Sequence, residues 1–238
     1  MWVIAEYEAT ALFSLKPAHA TASGGRTLLV PTPYAIKMAL LDVVCRVEGV
    51  AVAETVCDWL SEAQVALRPP QQVVVNNTFI KVLRPRRNPA KPGSQDAGFF
   101  GPTITYREFA QFGDTFSIAL EVDAPSHAKA LQKWLMHINY LGKRGSFIQI
   151  QAVPSVTDDM PAAFIPITGE IGASFQLHSV MTQLDDTSVN LTFKQASPYS
   201  SGSGSTVKLG KDRLLKHVIL PYRLVSSSRG YSFYELSS

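Results

Sequence analysis

Hydrophobic and polar side chains alternate through residues 2–13, with Val3, Ala5 and Tyr7 on one side and Glu6 and Glu8 on the other. A period of two residues predicts a β-strand that buries one face. Residues 116–122 and 146–153 repeat this alternation, and residues 72–83 form a run rich in valine, isoleucine and phenylalanine. Each of these segments is therefore predicted to be a strand.

Helices are predicted between these strands. Thr32 is placed to cap a helix that has Pro33 at its first position, continues through apolar residues 34–47 and ends at Gly49. A second helix is predicted from about residue 52 to residue 67, because two prolines follow. A third is predicted from apolar residues spaced along one helical face, namely Ala128, Leu131, Leu135 and Ile138.

The order of these elements predicts an α+β fold of ferredoxin-like, or RNA-recognition-like, topology for residues 1–153. Proline, glycine and arginine interrupt the pattern from residue 85 to 102, so we expect an extended arm at about residues 85–112, between the second and third strands. We expect residues 154–238 to form a smaller β-rich C-terminal lobe. Its strands are predicted at residues 174–183, 188–196 and 231–236, with a flexible segment at 200–205.

The composition excludes a disordered chain, because 46% of the residues are hydrophobic and 17% are charged. The net charge of +3 is too small to establish a nucleic-acid partner, but the bases are clustered. Residues 81–91 contain no acid, and their bases are Lys81, Arg84, Arg86, Arg87 and Lys91. In residues 208–229 Asp212 is the only acid among six bases, so one polyanion could contact both tracts.

Neither a disulfide framework nor a thiolate zinc site is indicated, because the sequence contains only Cys45 and Cys57, on neighbouring predicted helices. A cytoplasmic protein is expected. The sequence shows no signal peptide, and no apolar run reaches the roughly 20 residues that a membrane-spanning helix needs.

Sequence motifs of common enzymes are missing: there is no phosphate-binding GxxxxGK[ST] loop, no HExxH and no GxSxG. The five histidines have no metal-ligand spacing. We therefore expect no catalytic residues, no metal and no cofactor. One alternative stays open: His137, Tyr140 and Lys143 are spaced so that a helix end could bring them to one phosphate, where they could act as general acids or bases.

Two glycine- or proline-flanked segments each have a binding and a structural interpretation. The turn at residues 142–146 contains Lys143 and Arg144 between glycines, which suits an anion-binding nest but also an ordinary helix C-cap. The basic arm is either a solvated hairpin or a clamp on phosphates that offers aromatic residues for base stacking. Arg26 and Lys37 flank the start of the first helix, where a phosphate is also favoured.

Together these segments resemble a known family. The helix opened by Pro31, Thr32 and Pro33, the long arm, and the run from Leu141 to Phe147 are similar to those of the handle-capping RAMP-superfamily subunit of a type I CRISPR Cascade complex, the Cas5 family. The resemblance covers roughly residues 1–153. It implies a non-catalytic subunit that binds the repeat-derived 5′ handle of the CRISPR RNA (crRNA) in antiviral defence. One subtype of the same family cuts repeat RNA without a metal, so the resemblance also leaves open a metal-independent endoribonuclease with His137, Tyr140 and Lys143 at its site.

The resemblance also implies partners and roles for individual residues. The partners are the crRNA, the RAMP backbone subunit, the large subunit that reads the protospacer-adjacent motif and, indirectly, target DNA. The implied handle contacts are Arg26, Lys37, Lys143, Arg144 and Ser146. The implied RNA contacts on the arm or at its base are Lys81, Arg84, Arg86, Arg87, Lys91 and Arg107.

Overall fold

The computed structural model of the 238-residue chain describes residues 1–20, 24–88, 91–95, 97–167, 179–197, 200, 202 and 204–237. Its helices are α1 Pro33–Val47, α2 Val50–Glu62, α3 Pro125–Leu135 and α4 Phe193–Ala196. Its strands are β1 Trp2–Ala9, β2 Gly24–Gly25, β3 Val65–Arg68, β4 Gln72–Pro85, β5 Phe100–Phe112, β6 Phe116–Glu121, β7 Ile148–Ile150, β8 Ser155–Thr157, β9 Ile165–Pro166, β10 Val180–Thr187, β11 Arg213–Leu220, β12 Tyr222–Ser227 and β13 Tyr231–Leu236.

The first sheet has the strand order β7-β1-β6-β3-β9, with antiparallel neighbours, and β8 pairs with the other end of β1. The predicted alternation of β1 is confirmed, because Val3, Ala5 and Tyr7 are buried. Tyr7 pairs with Phe116 across β1 and β6, and its hydroxyl donates to the carbonyl of Leu135 in α3 at 2.7 Å. Strand β1 therefore contacts both its neighbour β6 in the sheet and helix α3, which covers the sheet.

Helix α1 begins where the sequence predicts. The Thr32 hydroxyl accepts a hydrogen bond from the Ala35 amide at 3.1 Å, and Pro33 occupies the first turn, where its missing N–H has no partner to lose. The buried side of the helix includes Ile36 and Leu40. Helix α1 packs against both α2 and α3, so the three helices form one layer.

The second helix is shorter than predicted. It ends at Glu62, and the next apolar residues, Val65–Arg68, form β3 between β6 and β9. Val65, Ala66 and Leu67 are all buried, so they lack the alternation that would identify a strand, and they continue the apolar run of the helix. The second strand of the first sheet is thus β3, whereas the sequence predicted residues 72–83.

Strands β4 and β5 form a long hairpin, paired from Val73 opposite Phe112 to Pro85 opposite Phe100. Within the predicted interruption at residues 85–102, Pro85 and residues 100–102 belong to the paired strands, and residues 86–99 form the connection between them. The hairpin belongs to a second sheet of order β12-β13-β4-β5-β2. In the sequence, the hairpin lies between β3 and β6 of the first sheet.

The C-terminal elements differ from the predictions at several places, since β8, β9, β11 and β12 were not predicted. Residues 188–196 were predicted as a strand, but α4 begins there, because Thr192 and Gln195 form a capping box. Strand β10 covers the described part of the predicted strand at 174–183, and β13 confirms the strand at 231–236. Residues 174–178 lie outside the described residues, as do parts of the segment at 200–205.

The sheets join the N-terminal and C-terminal parts of the chain. Strands β8 and β9 extend the first sheet, and β13 pairs with β4 in the second. One hydrophobic cluster includes Val3 and Leu40 together with Leu184, Val218 and Tyr222. The division into two domains at residue 153 stays a prediction, and shared sheets and a shared core cross it.

A buried lysine fixes the β10–β11 hairpin to the helices. The Lys37 ammonium donates to the Asp186 carboxylate at 2.8 Å, to the Ser61 carbonyl at 2.9 Å and to the Thr187 hydroxyl at 3.1 Å. Only 1% of its side chain is exposed. Burial lowers the pKa of Lys37, and the neighbouring Asp186 carboxylate opposes that shift. This ion pair joins α1, the end of α2 and β10.

We expect Lys37→Met to lower the free energy of unfolding by about 3–5 kcal/mol, because it leaves the buried Asp186 carboxylate without its closest cation. The double variant Lys37→Met/Asp186→Leu should recover most of this loss, since neither charge is then buried alone. Urea unfolding followed by circular dichroism measures both effects.

Lys133→Met is the matched control, because it breaks the Lys133–Glu48 pair, whose lysine side chain is 51% exposed. It should cost less than about 1 kcal/mol. Equal losses for the buried and the exposed pair would show that the Lys37 contact does not fix the hairpin.

Candidate nucleic-acid interface

A cleft of about 640 Å³ lies between the start of α1, the β4–β5 hairpin, the turn at residues 141–147 and the β10–β11 hairpin. We call it the cleft. Its apolar lining is buried or half-buried and consists of Leu15, Leu28, Ala35, Met38 and Ala39. Its cationic lining consists of Lys16, Arg84, Arg107, Lys143 and Arg213. Cations over an apolar interior suit a ligand that has both negative charge and a flat apolar part.

The glycine-flanked turn presents two exposed cations. Gly142 and Gly145 have φ angles of 69° and 102°, in the left-handed region that favours glycine. The Leu141 amide donates to the carbonyl of Ser146 at 3.1 Å, which closes the turn and leaves Lys143 and Arg144 at its exposed tip. The helix C-cap interpretation is wrong, because α3 ends at Leu135, well before Gly142.

The β4–β5 hairpin places two of the predicted cations beside the turn. Residues 78, 80, 82 and 84 share one face of β4, and the register puts Arg107 opposite Thr78 and Gly101 opposite Arg84 on that same face. Arg84 donates to the Thr105 hydroxyl at 3.5 Å. Lys143 therefore meets Arg84 and Arg107 in one cleft although the turn and the hairpin are separate in sequence.

A close backbone approach positions Arg107. Strand β2 runs parallel to β5, with Gly25 opposite Arg107. A Cβ atom on Gly25 would lie 2.7 Å from Cδ of Arg107 and 2.9 Å from the Tyr106 carbonyl oxygen, so only glycine fits without a shift. Nε of Arg107 is buried and has no hydrogen-bond partner among the described residues.

Sequence reasoning did not assign three of the lining residues to the site. Lys16 follows β1, and Tyr34 lies in the first turn of α1, where it reads as part of an apolar helix. Arg213 stands 4.2 Å over the Tyr34 ring and is paired with Asp185. The basic character of residues 208–229 was the available signal for Arg213, but it did not indicate which base reaches the cleft.

Two predicted handle contacts are wrong in their placement. Lys37 is buried in its ion pair with Asp186, so its ammonium is not available to a phosphate. Ser146 is 2% exposed, and its hydroxyl accepts a hydrogen bond from the Ser14 amide at 3.3 Å, so it holds the turn rather than presenting a ligand contact. Both residues instead hold neighbouring segments of the cleft together from the interior of the fold.

The remaining predicted contacts lie around the cleft rather than in its described lining. Arg26 is exposed beside a separate groove that Glu108 and Tyr234 also line. Arg144 lies at the exposed tip of the turn. The other predicted contacts of the hairpin, at its tip or on its other face, are Lys81, Arg86, Arg87 and Lys91. Their roles stay predictions.

Four large apolar side chains lie on the hairpin face opposite Arg84 and Arg107, which also carries Lys81. These are Phe79, Leu83, Phe100 and Ile104, whose side chains are 59–74% exposed. The neighbouring Phe99 is 78% exposed. We call these four residues the apolar face of the hairpin. A large exposed apolar surface of this kind marks an interaction site.

The residues of the endoribonuclease alternative are only partly brought together. Tyr140 and Lys143 both line the cleft, whereas His137 is exposed outside the described lining, with its backbone carbonyl accepting from Arg46 at 3.4 Å.

Within the described residues there is no group of three His, Cys, Asp or Glu side chains able to hold a metal ion. None of the described helices is long and apolar enough to span a membrane.

Gly25→Ala should weaken binding of single-stranded RNA about tenfold, because the added methyl group displaces Arg107 from the cleft. Fluorescence anisotropy with a labelled RNA measures the change. Gly230→Ala is the control, since its Cβ would meet no atom within 4 Å. Equal affinities for the two variants would contradict a role for Gly25 in positioning Arg107.

The chain was compared with known proteins. No family model matches it. Two solved structures, "Crystal structure of a CRISPR protein from Archaeoglobus fulgidus" and "CRISPR RNA-guided surveillance complex", have TM-scores of 0.41 and 0.47 at 12% and 13% identity. The first covers 100% of this chain and 92% of its own, and the second covers 92% and 90%.

One curated protein is similar in sequence. The CRISPR-associated protein Cas5 of Archaeoglobus fulgidus is 25% identical over 218 residues, which cover 90% of this chain and 92% of the relative. The match thus covers nine-tenths of this chain rather than one motif. The resemblance to the Cas5 family that the sequence indicated is therefore confirmed over most of the chain.

Proposed function

We propose that this chain is a non-catalytic, crRNA-binding subunit of a type I CRISPR Cascade, a cytoplasmic ribonucleoprotein of antiviral defence, and that it caps the 5′ handle of the guide. The observation that carries the proposal is the cleft, where Lys16, Arg84 and Lys143 are brought together from three separate segments. All three are exposed. Separate segments converging on one cationic surface favour a polyanion as the ligand.

The cationic and the apolar lining of the cleft are proposed to contact different parts of the RNA. Exposed cations contact phosphates, which fixes the register of the strand without reading its sequence. The apolar interior, with Leu28 and Met38, accommodates a base that has left the stack, as sequence-specific RNA sites do. Tyr140, at the edge between the two, offers both a ring and a hydroxyl.

We also propose that the first sheet is the ferredoxin-like core of a RAMP protein. Its strands β7-β1-β6-β3 follow the order fourth, first, third and second, with antiparallel neighbours, and α1 and α3 connect them in the positions of the two helices of that topology. The β4–β5 hairpin, inserted between the second and third of these strands, corresponds to the arm.

The arm is proposed to act as a thumb at the junction of handle and guide. Its basic face lines the cleft, and its apolar face points away from it. We assign the apolar face to a protein neighbour, the RAMP backbone subunit. The large subunit that reads the protospacer-adjacent motif is the further proposed partner, and it connects the chain indirectly to target DNA.

Lys143→Ala/Arg144→Ala should weaken binding of the organism's own CRISPR repeat RNA, because both side chains are exposed at the tip of the turn. If each contacts one phosphate, the slope of log affinity against log salt should flatten by about 1.4. Filter binding between about 50 and 200 mM salt measures it. Lys129→Ala/Arg229→Ala, which removes two exposed cations away from the turn, should leave the slope unchanged.

The same RNA, incubated with the protein in EDTA, separates binding from catalysis. Intact RNA supports the capping role. Metal-independent cutting that disappears in Lys143→Ala would instead make the chain a repeat-processing endoribonuclease, with Tyr140 and Lys143 at the site of cleavage. No RNA binding, even with partner subunits present, would contradict both functions.

Leu83→Ser/Ile104→Ser should prevent co-purification with the RAMP backbone subunit while leaving thermal stability unchanged, because the two side chains are 70% and 71% exposed. Pull-down of the co-expressed subunits after nuclease treatment measures the effect. Met181→Ser/Val189→Ser, with exposures of 71% and 67% at other places, is the control. Normal assembly of the Leu83→Ser/Ile104→Ser variant would show that the apolar face is not part of the interface.

A further inference from the structure

The C-terminal β10–β11 hairpin supplies one wall of the cleft. Asp185 on β10 and Arg213 on β11 both line it, next to Tyr34 from α1. The resemblance to the family assigned no RNA contact beyond residue 146, and the basic tract at residues 208–229 indicated a polyanion without indicating which base reaches the cleft. The wall is fixed to the helices, because the neighbouring Asp186 holds the buried Lys37.

Arg213 differs from the other cations of the cleft because it is paired and immobilised. Its Nε donates to the Asp185 carboxylate, whose side chain is 1% exposed, while 28% of the Arg213 side chain is exposed. The guanidinium carbon lies 4.2 Å from the centre of the Tyr34 ring, so a cation–π contact holds the group as well. A planar group held in this way has little side-chain entropy left to lose on binding.

The charge of Arg213 is already neutralised by Asp185, whereas Lys16, Arg84 and Lys143 are exposed cations. Phosphates should therefore prefer those three residues. What Arg213 still offers is its flat face, and guanidinium planes stack on unpaired RNA bases. The buried apolar residues Leu28 and Ala39 line the same cleft, whose volume of about 640 Å³ lies within the range of small-ligand sites, about 300–1,000 Å³.

We propose that the cleft receives one unstacked RNA base and that this base stacks on the Arg213 guanidinium, with Asp185 and Tyr34 as positioning residues. The proposal rests on the proposed function, since it names the part of the RNA that enters the same cleft. Phosphate contacts from Arg84 and Lys143 hold the strand on either side of the base.

A double-mutant cycle between protein and RNA tests this contact. The repeat RNA is prepared with an abasic nucleotide at each handle position in turn, and its binding to wild type and to Arg213→Met is measured by filter binding. At one position the abasic change should weaken binding to wild type about tenfold. Arg213→Met should weaken binding of the intact RNA to the same extent, and the two changes together should cost no more than either alone.

The matched control is Arg223→Met, which also removes an arginine from an ion pair, with Glu235, outside the described lining of the cleft. It should change neither affinity nor the pattern of abasic effects. The salt dependence distinguishes stacking from phosphate binding: Arg213→Met should leave the salt slope unchanged, while Lys143→Ala flattens it.

Removing Arg213 alone leaves the Asp185 carboxylate buried without its partner, so Arg213→Met/Asp185→Asn is measured beside it. Circular dichroism checks that both are folded. In a variant that is folded, the loss of affinity from the arginine change and the loss from the abasic nucleotide are compared at every handle position. If the two losses multiply at all positions, the base contact is overturned although the RNA still binds. Loss of all RNA binding by the wild-type chain and its complex would instead overturn the proposed function itself.

Discussion

The ion pair between Lys37 and Asp186 decides where the C-terminal hairpin lies. The two residues are 149 positions apart in sequence, and the lysine reaches its partner from inside the helical layer. A buried ammonium with three acceptors has one arrangement that satisfies it, so it selects a single docking of β10 on α1. Because Asp185 is the next residue along β10, the same contact sets the position of Arg213 in the cleft.

Local signals in the sequence were sufficient for the elements with a clear period or cap. The alternation of β1 and the Thr32–Pro33 start of α1 are examples. Strand β3 could not be predicted in the same way, since a short strand buried on both faces looks like a continuation of the preceding helix. Lys37 was misassigned for a different reason: its position at the start of a helix suggested a phosphate, and its actual partner is distant in sequence.

For the site, the sequence identified residue types but not their neighbours. Clustered bases and a glycine-flanked turn pointed to Arg84 and Lys143, and the family resemblance implied Arg107. The fold brings the three together. Lys16 and Arg213 carry the same charge, but no local pattern separates them from ordinary surface bases. Pairing between strands creates the cleft, and pairing is determined by contacts across the whole chain.

The β4–β5 hairpin presents different chemistry on its two faces, with Arg84 on one and Leu83 on the other. Successive side chains of a strand point to opposite faces, so inserting or deleting a single residue in β4 beyond its buried base would exchange the faces from that point to the tip. Such a change before Leu83 would turn Arg84 away from the cleft and Leu83 toward it. During evolution the arm can therefore lengthen or shorten by two residues per strand far more easily than by one.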